Sequence, residues 1–180
     1  MKRREALSNA AKELSAAGIE SARLESEMLL SRILGIERHA LYLDPEEEIA
    51  DTAYTQLNTF LEKRIEGTPI HYLTQEKEFM GLPFYVDERV LIPRFDTEVL
   101  CETVLDWLKA HPEKHHIADI GTGSGALAVS LAYGIPGLRV SAVDRSGAAL
   151  RVAKRNAGRH GVADRITFCR GDVLAPLSAV

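Results

Sequence analysis

The run Ile117-Ala118-Asp119-Ile120-Gly121-Thr122-Gly123-Ser124-Gly125-Ala126 constrains the fold of this chain more than any other stretch. A short apolar strand enters a glycine-rich turn, and the apolar residues from Ala126 to Tyr133 continue as a helix. That order sets backbone N–H groups and a helix N-terminus around a small polar or anionic ligand. Glycine stands wherever a Cβ would block close approach. A loop of this kind holds a nucleoside-containing cofactor.

The residues beyond it extend the pattern. Leu138–Val143 reads as a second strand ending at Asp144, and a helix follows from about Gly147 to His160, with Leu150, Val152, Ala153 and Ala157 as its apolar residues. Arg165–Cys169 is a third strand, ending at Gly171-Asp172. Strands alternating with helices predict an α/β fold with a parallel, doubly wound sheet. Ligands in such sheets lie beyond the carboxyl ends of the strands, so Asp119, Asp144 and Asp172 are expected to line one crevice. An acid about 20 residues after the glycine loop is placed to grip a ribose diol, which marks Asp144.

The chain has 180 residues, enough for one ordinary domain or for a small domain and part of another. A formal charge of −4 supplies no long-range attraction for nucleic acid. Cys101 and Cys169 sit in apolar patterns without metal-ligand spacing, as expected of reduced core thiols in a cytosolic protein. No apolar run approaches the roughly 18 residues that span a membrane. No secretory signal is visible either, so a soluble, cytoplasmic protein is expected.

Residues 1 to 67 read as a small antiparallel helical bundle. Leu7, Ala10, Ala11, Leu14 and Ala17 form one stripe, stopped at Gly18. Ser21 is placed to cap a second helix through Leu24, Met28, Leu29, Ile33 and Leu34, with Gly35 beyond it. The acidic run Glu46-Glu47-Glu48 suits a solvated helix start. A further helix through Leu57, Phe60, Leu61 and Ile65 stops at Gly67. Residues 68 to 95 form a linker: Pro69 bars helix at Thr68, Glu78–Val86 reads as a hairpin turning at Gly81, and Leu91–Arg94 is extended. Asp96 or Thr97 then caps a helix through Val99, Leu100, Val104, Leu105 and Leu108. Residues 96 to 180 form the cofactor domain.

Two cofactor classes fit the loop. Gly121, Gly123 and Ala126 satisfy a dinucleotide fingerprint, with Asp144 on the ribose of a nicotinamide cofactor. Asp-x-Gly-x-Gly-x-Gly, with its acid two residues before the first glycine, resembles instead the first motif of S-adenosylmethionine-dependent methyltransferases. A carboxylate there suits a ligand carrying an ammonium and a sulfonium and sits badly against pyrophosphate. Arg151, Arg155 and Arg159 are expected to form a solvated stripe on one helix. The histidines show no ligand spacing, no metal site is expected, and no Ser-His-Asp or Cys-His arrangement is discernible.

Thr68-Pro69-Ile70-His71-Tyr72-Leu73, Glu78-Phe79 and Leu91-Ile92-Pro93-Arg94-Phe95-Asp96-Thr97-Glu98 closely resemble signatures of the release-factor glutamine methyltransferases (PrmC/HemK). The likeness runs along nearly the whole chain, and Leu-Ile-Pro-Arg-x-Asp-Thr-Glu is its most specific element. Phe95 stands where the family usually has proline, and Gln75 where it usually has glycine. The resemblance implies a helical bundle that binds the release factor, a hairpin linker and a class I methyltransferase domain.

By the same resemblance Asp119, Gly121, Thr122, Gly123, Ser124 and Gly125 lie at the methionine part of S-adenosyl-L-methionine, Asp144 at its ribose, and Asp172 and Val173 beside its adenine. Pro93, Arg94, Asp96, Thr97 and Glu98 form the linker and substrate element. The implied substrate is the glutamine of the Gly-Gly-Gln loop of class I peptide chain release factors, in a monomeric enzyme without membrane or direct nucleic-acid partner. The family's Asn-Pro-Pro-Tyr loop is absent before Val180, so no catalytic residue is assigned. The chain reads as truncated and is expected to be inactive alone, with an unpaired edge on its first strand. The alternatives are a fragment of an NAD-dependent oxidoreductase, a non-catalytic release-factor-binding protein and, more weakly, a nucleic-acid adenine methyltransferase.

Overall fold

The structure, a computed structural model, describes residues 1–179. It divides into two compact units, Met1–Thr74 and a second beginning at Gln75. The first is helical: α1 (Arg3–Ala16), α2 (Ala22–Leu34), α3 (Asp51–Ile65) and the short α4 (Ile70–Thr74), with a 3-10 turn at Arg38–Tyr42. Leu14, Leu29, Leu30, Leu41, Leu57 and Leu61 are almost fully buried and make one core. Gly35 ends α2 in the left-handed conformation, and α4 starts directly after Pro69. Ser21 is the N-cap of α2, but its hydroxyl donates to Glu25 Oε1 at 2.9 Å rather than accepting from the helix.

The acidic run does not start a helix. α3 begins later, at Asp51, and Glu46–Glu48 lies in the loop before it. Glu46 pairs with Lys2 at 2.9 Å and Arg4 at 2.6 Å, Glu47 pairs with Arg3, and the Glu48 backbone forms an antiparallel β-bridge with that of Lys2. The carboxylates neutralise the basic start of α1 and hold the loop against it.

A further ion pair lies deeper. Glu25 is 5% exposed and receives Arg64 Nε at 2.6 Å and Nη2 at 3.3 Å, linking α2 to α3. Removing Arg64 leaves a buried carboxylate without its cation, which costs about 3 kcal/mol. Arg64→Ala should therefore show a large fall in the melting temperature of this unit, whereas Lys2→Ala, which breaks the exposed pair with Glu46 in the same unit, should show a much smaller one.

The second unit opens on a hairpin. β1 (Lys77–Phe79) and β2 (Leu82–Phe84) pair antiparallel across Met80 and Gly81, both at positive φ, as a two-residue hairpin turn requires. Helix α5 (Phe95–Ala110) follows. Its N-cap is Arg94, not Asp96 or Thr97, because Arg94 is extended and its carbonyl already accepts from Thr97 N at 3.0 Å. Asp96 and Glu98 occupy the first turn, where their charge complements the helix dipole.

Phe95 is the first helical residue, a position where proline's fixed φ and missing N–H cost nothing. It is also 75% exposed, so little packing depends on it. Phe95→Pro is expected to stabilise the unit by about 0.5 kcal/mol. Gln75 takes φ 56, a conformation that favours glycine. Gln75→Gly is expected to stabilise by about 1 kcal/mol through relief of that strain, read as a higher denaturation midpoint.

The parallel sheet comprises β3 (His116–Ile120), β4 (Arg139–Asp144) and β5 (Ile166–Arg170), in the order β3-β4-β5. Ile117, Val140 and Ile166 are in register, as are Asp119, Ala142 and Phe168. These residues face α6 (Ala126–Gly134) and α7 (Gly147–Arg159), the crossovers between the strands, and share a core with Phe79, Phe84, Val129, Leu131 and Ala157. Ala118, Ile120 and Thr167 point to the other face and are exposed. Among the described residues β3 pairs only with β4, so its outer edge is open. Cys101 belongs to the core and Cys169 is only half-buried. Val180, the last residue of the expected cofactor domain, lies outside the described residues.

Candidate functional site

Strand β3 delivers Asp119 to the start of the glycine loop, and the loop turns because Gly121, Gly123 and Gly125 adopt φ 79, 55 and 80. Its N–H groups are largely used within the protein. Gly121 N and Thr122 N both donate to Val143 O, at 2.8 and 2.9 Å, and Gly125 N donates to Thr122 O at 2.8 Å. Gly123 N donates to Asp144 Oδ2 at 2.9 Å. The expectation of backbone N–H groups set around a small polar or anionic ligand is therefore narrowed: those of Gly121, Thr122, Gly123 and Gly125 are bonded within the protein.

Asp119 is 8% exposed. Its Oδ2 accepts from Thr122 Oγ1 at 2.7 Å and from Ala128 N at 3.2 Å, so the carboxylate occupies the N-terminal turn of α6. Burial pushes its carboxyl up from the usual range, the two hydrogen bonds oppose the shift, and the charge of Asp144 adds to it. A raised folded-state value favours the fold below the unfolded value and loses that contribution as pH rises through it. A carboxylate at this place is better matched to a cationic neighbour, which draws its pKa back down, than to an anion, which raises it further.

Asp144 ends β4 and spans two loops, accepting from Gly123 N and, through Oδ1, from Ser146 N at 2.8 Å. Each oxygen retains a second lone pair for a ligand hydroxyl. Beside it lies a cleft of about 400 Å³ lined by Ile120, Gly121, Val143, Asp144, Arg145, Gly171, Asp172 and Val173. The cleft brings together Gly121, Asp144, Asp172 and Val173, whereas Asp119, expected to line the same crevice, does not line it. Asp119, Thr122 and Ser124 are buried in and behind the loop. The sequence reading omitted Ile120, 40% exposed at the end of β3, and Val143. Both sit at strand ends, and that position was the available signal.

Pro93, Arg94, Asp96, Thr97 and Glu98 do not line this cleft. Glu98 has a local role: its Oε1 accepts from Met80 N at 2.9 Å and ties the hairpin turn to α5. The arginine stripe of α7 is not simply solvated. The Arg155 guanidinium stacks 3.4 Å from the Tyr85 ring centroid, and Arg159 pairs with Glu76 at 2.9 Å. Asn156, passed over in the sequence, is fully buried and bonds to the glycine loop. Among the described residues no group of His, Cys, Asp and Glu side chains is arranged to hold a metal ion.

A parallel sheet crossed by α6 and α7, with a glycine loop after its first strand, is an α/β domain of the methyltransferase type. Family models agree in both units: residues 5–74 match the PrmC N-terminal domain, and residues 96–179 match the methyltransferase small domain. The chain belongs to the release factor glutamine methyltransferase family. It is 48% identical over 174 residues to the release factor glutamine methyltransferase of Moorella thermoacetica, covering 97% of this chain and 61% of that protein. Identity to the Chlorobaculum tepidum protein of the same name is 42%, covering 87% and 55%. For Deinococcus radiodurans it is 37%, covering 99% and 63%. The chain thus spans roughly three-fifths of the length of these relatives. Among solved structures, the N-terminal domain of human METTL16 in complex with SAH aligns over 72% of this chain and 47% of that one, with TM-score 0.45 and 18% identity.

Proposed function

We propose that this chain carries the release-factor-binding bundle (1–67), the hairpin linker (68–95) and the cofactor-binding part (96–180) of a cytoplasmic, monomeric protein methyltransferase. Its methyl donor is S-adenosyl-L-methionine, and its acceptor is the side-chain amide of the glutamine in the Gly-Gly-Gln loop of class I peptide chain release factors. The observation that carries the cofactor reading is Asp119 at the N-terminal turn of α6, accepting from Ala128 N. A dinucleotide needs that helix end for its pyrophosphate, and a buried carboxylate there repels it. A ligand bearing ammonium and sulfonium charges is attracted instead, which argues against the nicotinamide alternative.

The residues present fit such a ligand. Asp144 has free acceptor capacity for ribose hydroxyls, Ile120, Val143 and Val173 offer apolar surface to a base, and Asp172 stands beside them to accept from an amino group. The cofactor supplies, when bound, a methyl group on a positively charged sulfur. The chain's part is to hold that group still and to keep the loop backbone in one arrangement, since orientation contributes much of the rate in transfer to a weak nucleophile. The release-factor assignment rests on the names of the relatives and on Leu91–Glu98. The 180 residues contain no Asn-Pro-Pro-Tyr to hold the acceptor amide.

The test is to mix the purified chain with a class I release factor and S-adenosylmethionine, then to follow both retention of the factor and the mass of its Gly-Gly-Gln peptide. Retention without an added methyl group is expected. A methylated peptide would overturn the inactivity of this chain alone, and absence of any retention would overturn the partner.

A further inference from the structure

Asn156 is an amide in the middle of the apolar face of α7, between Val152, Ala153 and Ala157, and it is 0% exposed. Its bonding is specific. Oδ1 accepts from Tyr85 N at 2.8 Å, and Nδ2 donates to Tyr85 O at 2.9 Å and to Ser124 O at 2.8 Å. One side chain therefore takes both backbone groups of the residue that follows β2, together with a carbonyl of the glycine loop. A buried amide satisfied in this way is costly to disturb and fixes its partners relative to one another.

Neighbouring contacts reinforce both ends. On the loop side, Gly125 lies so close to α7 that a Cβ placed on it would stand 3.0 Å from Ala153 Cβ, and Asp144 holds Gly123 N one residue before Ser124. On the other side, the Tyr85 ring stacks on Arg155 and its hydroxyl donates to Asp87 Oδ2 at 2.8 Å. Asp87 is held by Arg89, and that pair keeps its carboxyl at about 2. The chain then runs through Val90 into Leu91–Glu98. Asn156 is thus the direct hydrogen-bonded link between the glycine loop and the segment entering the Leu-Ile-Pro-Arg element.

We infer that Asn156 is a positioning residue that couples the glycine loop to the segment Tyr85–Val90, so that the order of one depends on the order of the other. It rests on the functional reading above only for what occupies the loop. Occupation of the loop then also fixes the stretch of the linker that leads into Leu91–Glu98.

The test compares Asn156→Asp with Val152→Ala, which removes fully buried volume from the same helix without removing a polar group. Aspartate keeps the acceptor for Tyr85 N but loses both donors and faces two carbonyl oxygens. In amide hydrogen exchange of the whole chain, N156D is expected to raise exchange about tenfold beyond V152A at both Gly121–Gly125 and Tyr85–Val90, the scale of one buried hydrogen bond. Binding of adenosylhomocysteine should weaken in N156D and not in V152A. Equal exchange patterns in the two variants would overturn the coupling, as would a change confined to one segment. Asn156→Ser, which deletes the amide without adding charge, replaces N156D if that variant does not fold. If the unmodified chain does not bind adenosylhomocysteine, the functional reading falls, while the exchange comparison still decides the coupling.

Discussion

Asp144→Ala is expected to weaken adenosylhomocysteine binding about a hundredfold, or roughly 3 kcal/mol. Among the described residues this carboxylate is the one acidic group that lines the cleft and also bonds the glycine loop, through Gly123 N, while it accepts from Ser146 N as well. Alanine removes the acceptors for the ribose hydroxyls and leaves Gly123 N to find a new partner in the same step. Charge-assisted hydrogen bonds of this kind are among the stronger ones. The fold itself should lose only about 1 kcal/mol, because the Gly123 and Ser146 N–H groups can turn to water. Calorimetric titration beside a thermal melt separates the two effects. An Asp144→Ala protein that binds as the parent does would remove Asp144 from the site.

Gly125→Ala is expected to cost about 3 kcal/mol of stability, as much as the loss of Arg64. Two costs combine. Its φ of 80° lies in the left-handed region, worth about 1–2 kcal/mol for a residue with a side chain, and the new methyl would sit 3.0 Å from Ala153 Cβ and 3.1 Å from its Cα. Gly137 provides the comparison: its φ is 81°, but nothing lies within 4 Å of a Cβ built there. Gly137→Ala should therefore cost only the conformational part. Denaturant melts of both variants isolate the contact between the glycine loop and α7. Equal losses would mean that this close approach carries no energy.

The sheet and loop were legible in the sequence because their signals are local. Apolar strands of about five residues, glycines at left-handed positions and Asp144 at the following strand end are all set by near neighbours in the chain. The hairpin at Gly81 was legible for the same reason. Glu46–Glu48 was not, since a helix start and a partner for Lys2, Arg3 and Arg4 look alike in composition, and the partners lie more than 40 residues away. Arg155 and Arg159 were read as solvated because their periodicity says which face they share, not that Tyr85 and Glu76 lie opposite. Asn156 did leave a trace, as a polar residue in the apolar stripe of α7. Its partners Tyr85 and Ser124 are 71 and 32 residues distant, and only the fold brings them together. The α5 cap was misplaced by two or three residues because Arg94, unlike Asp96 and Thr97, caps through its backbone alone.

The central claim is that the glycine loop and its carboxylates accept an adenosyl amino acid, with its ammonium group, and reject a dinucleotide. The direct measurement is calorimetric titration of the purified 180-residue chain with adenosylhomocysteine and, separately, with NADH. Saturable binding of adenosylhomocysteine at one site, with no heat from NADH, is the predicted result. Saturable binding of NADH, with none for adenosylhomocysteine, would contradict the account at its base, because Asp119 at the start of α6 would then fail to exclude a pyrophosphate.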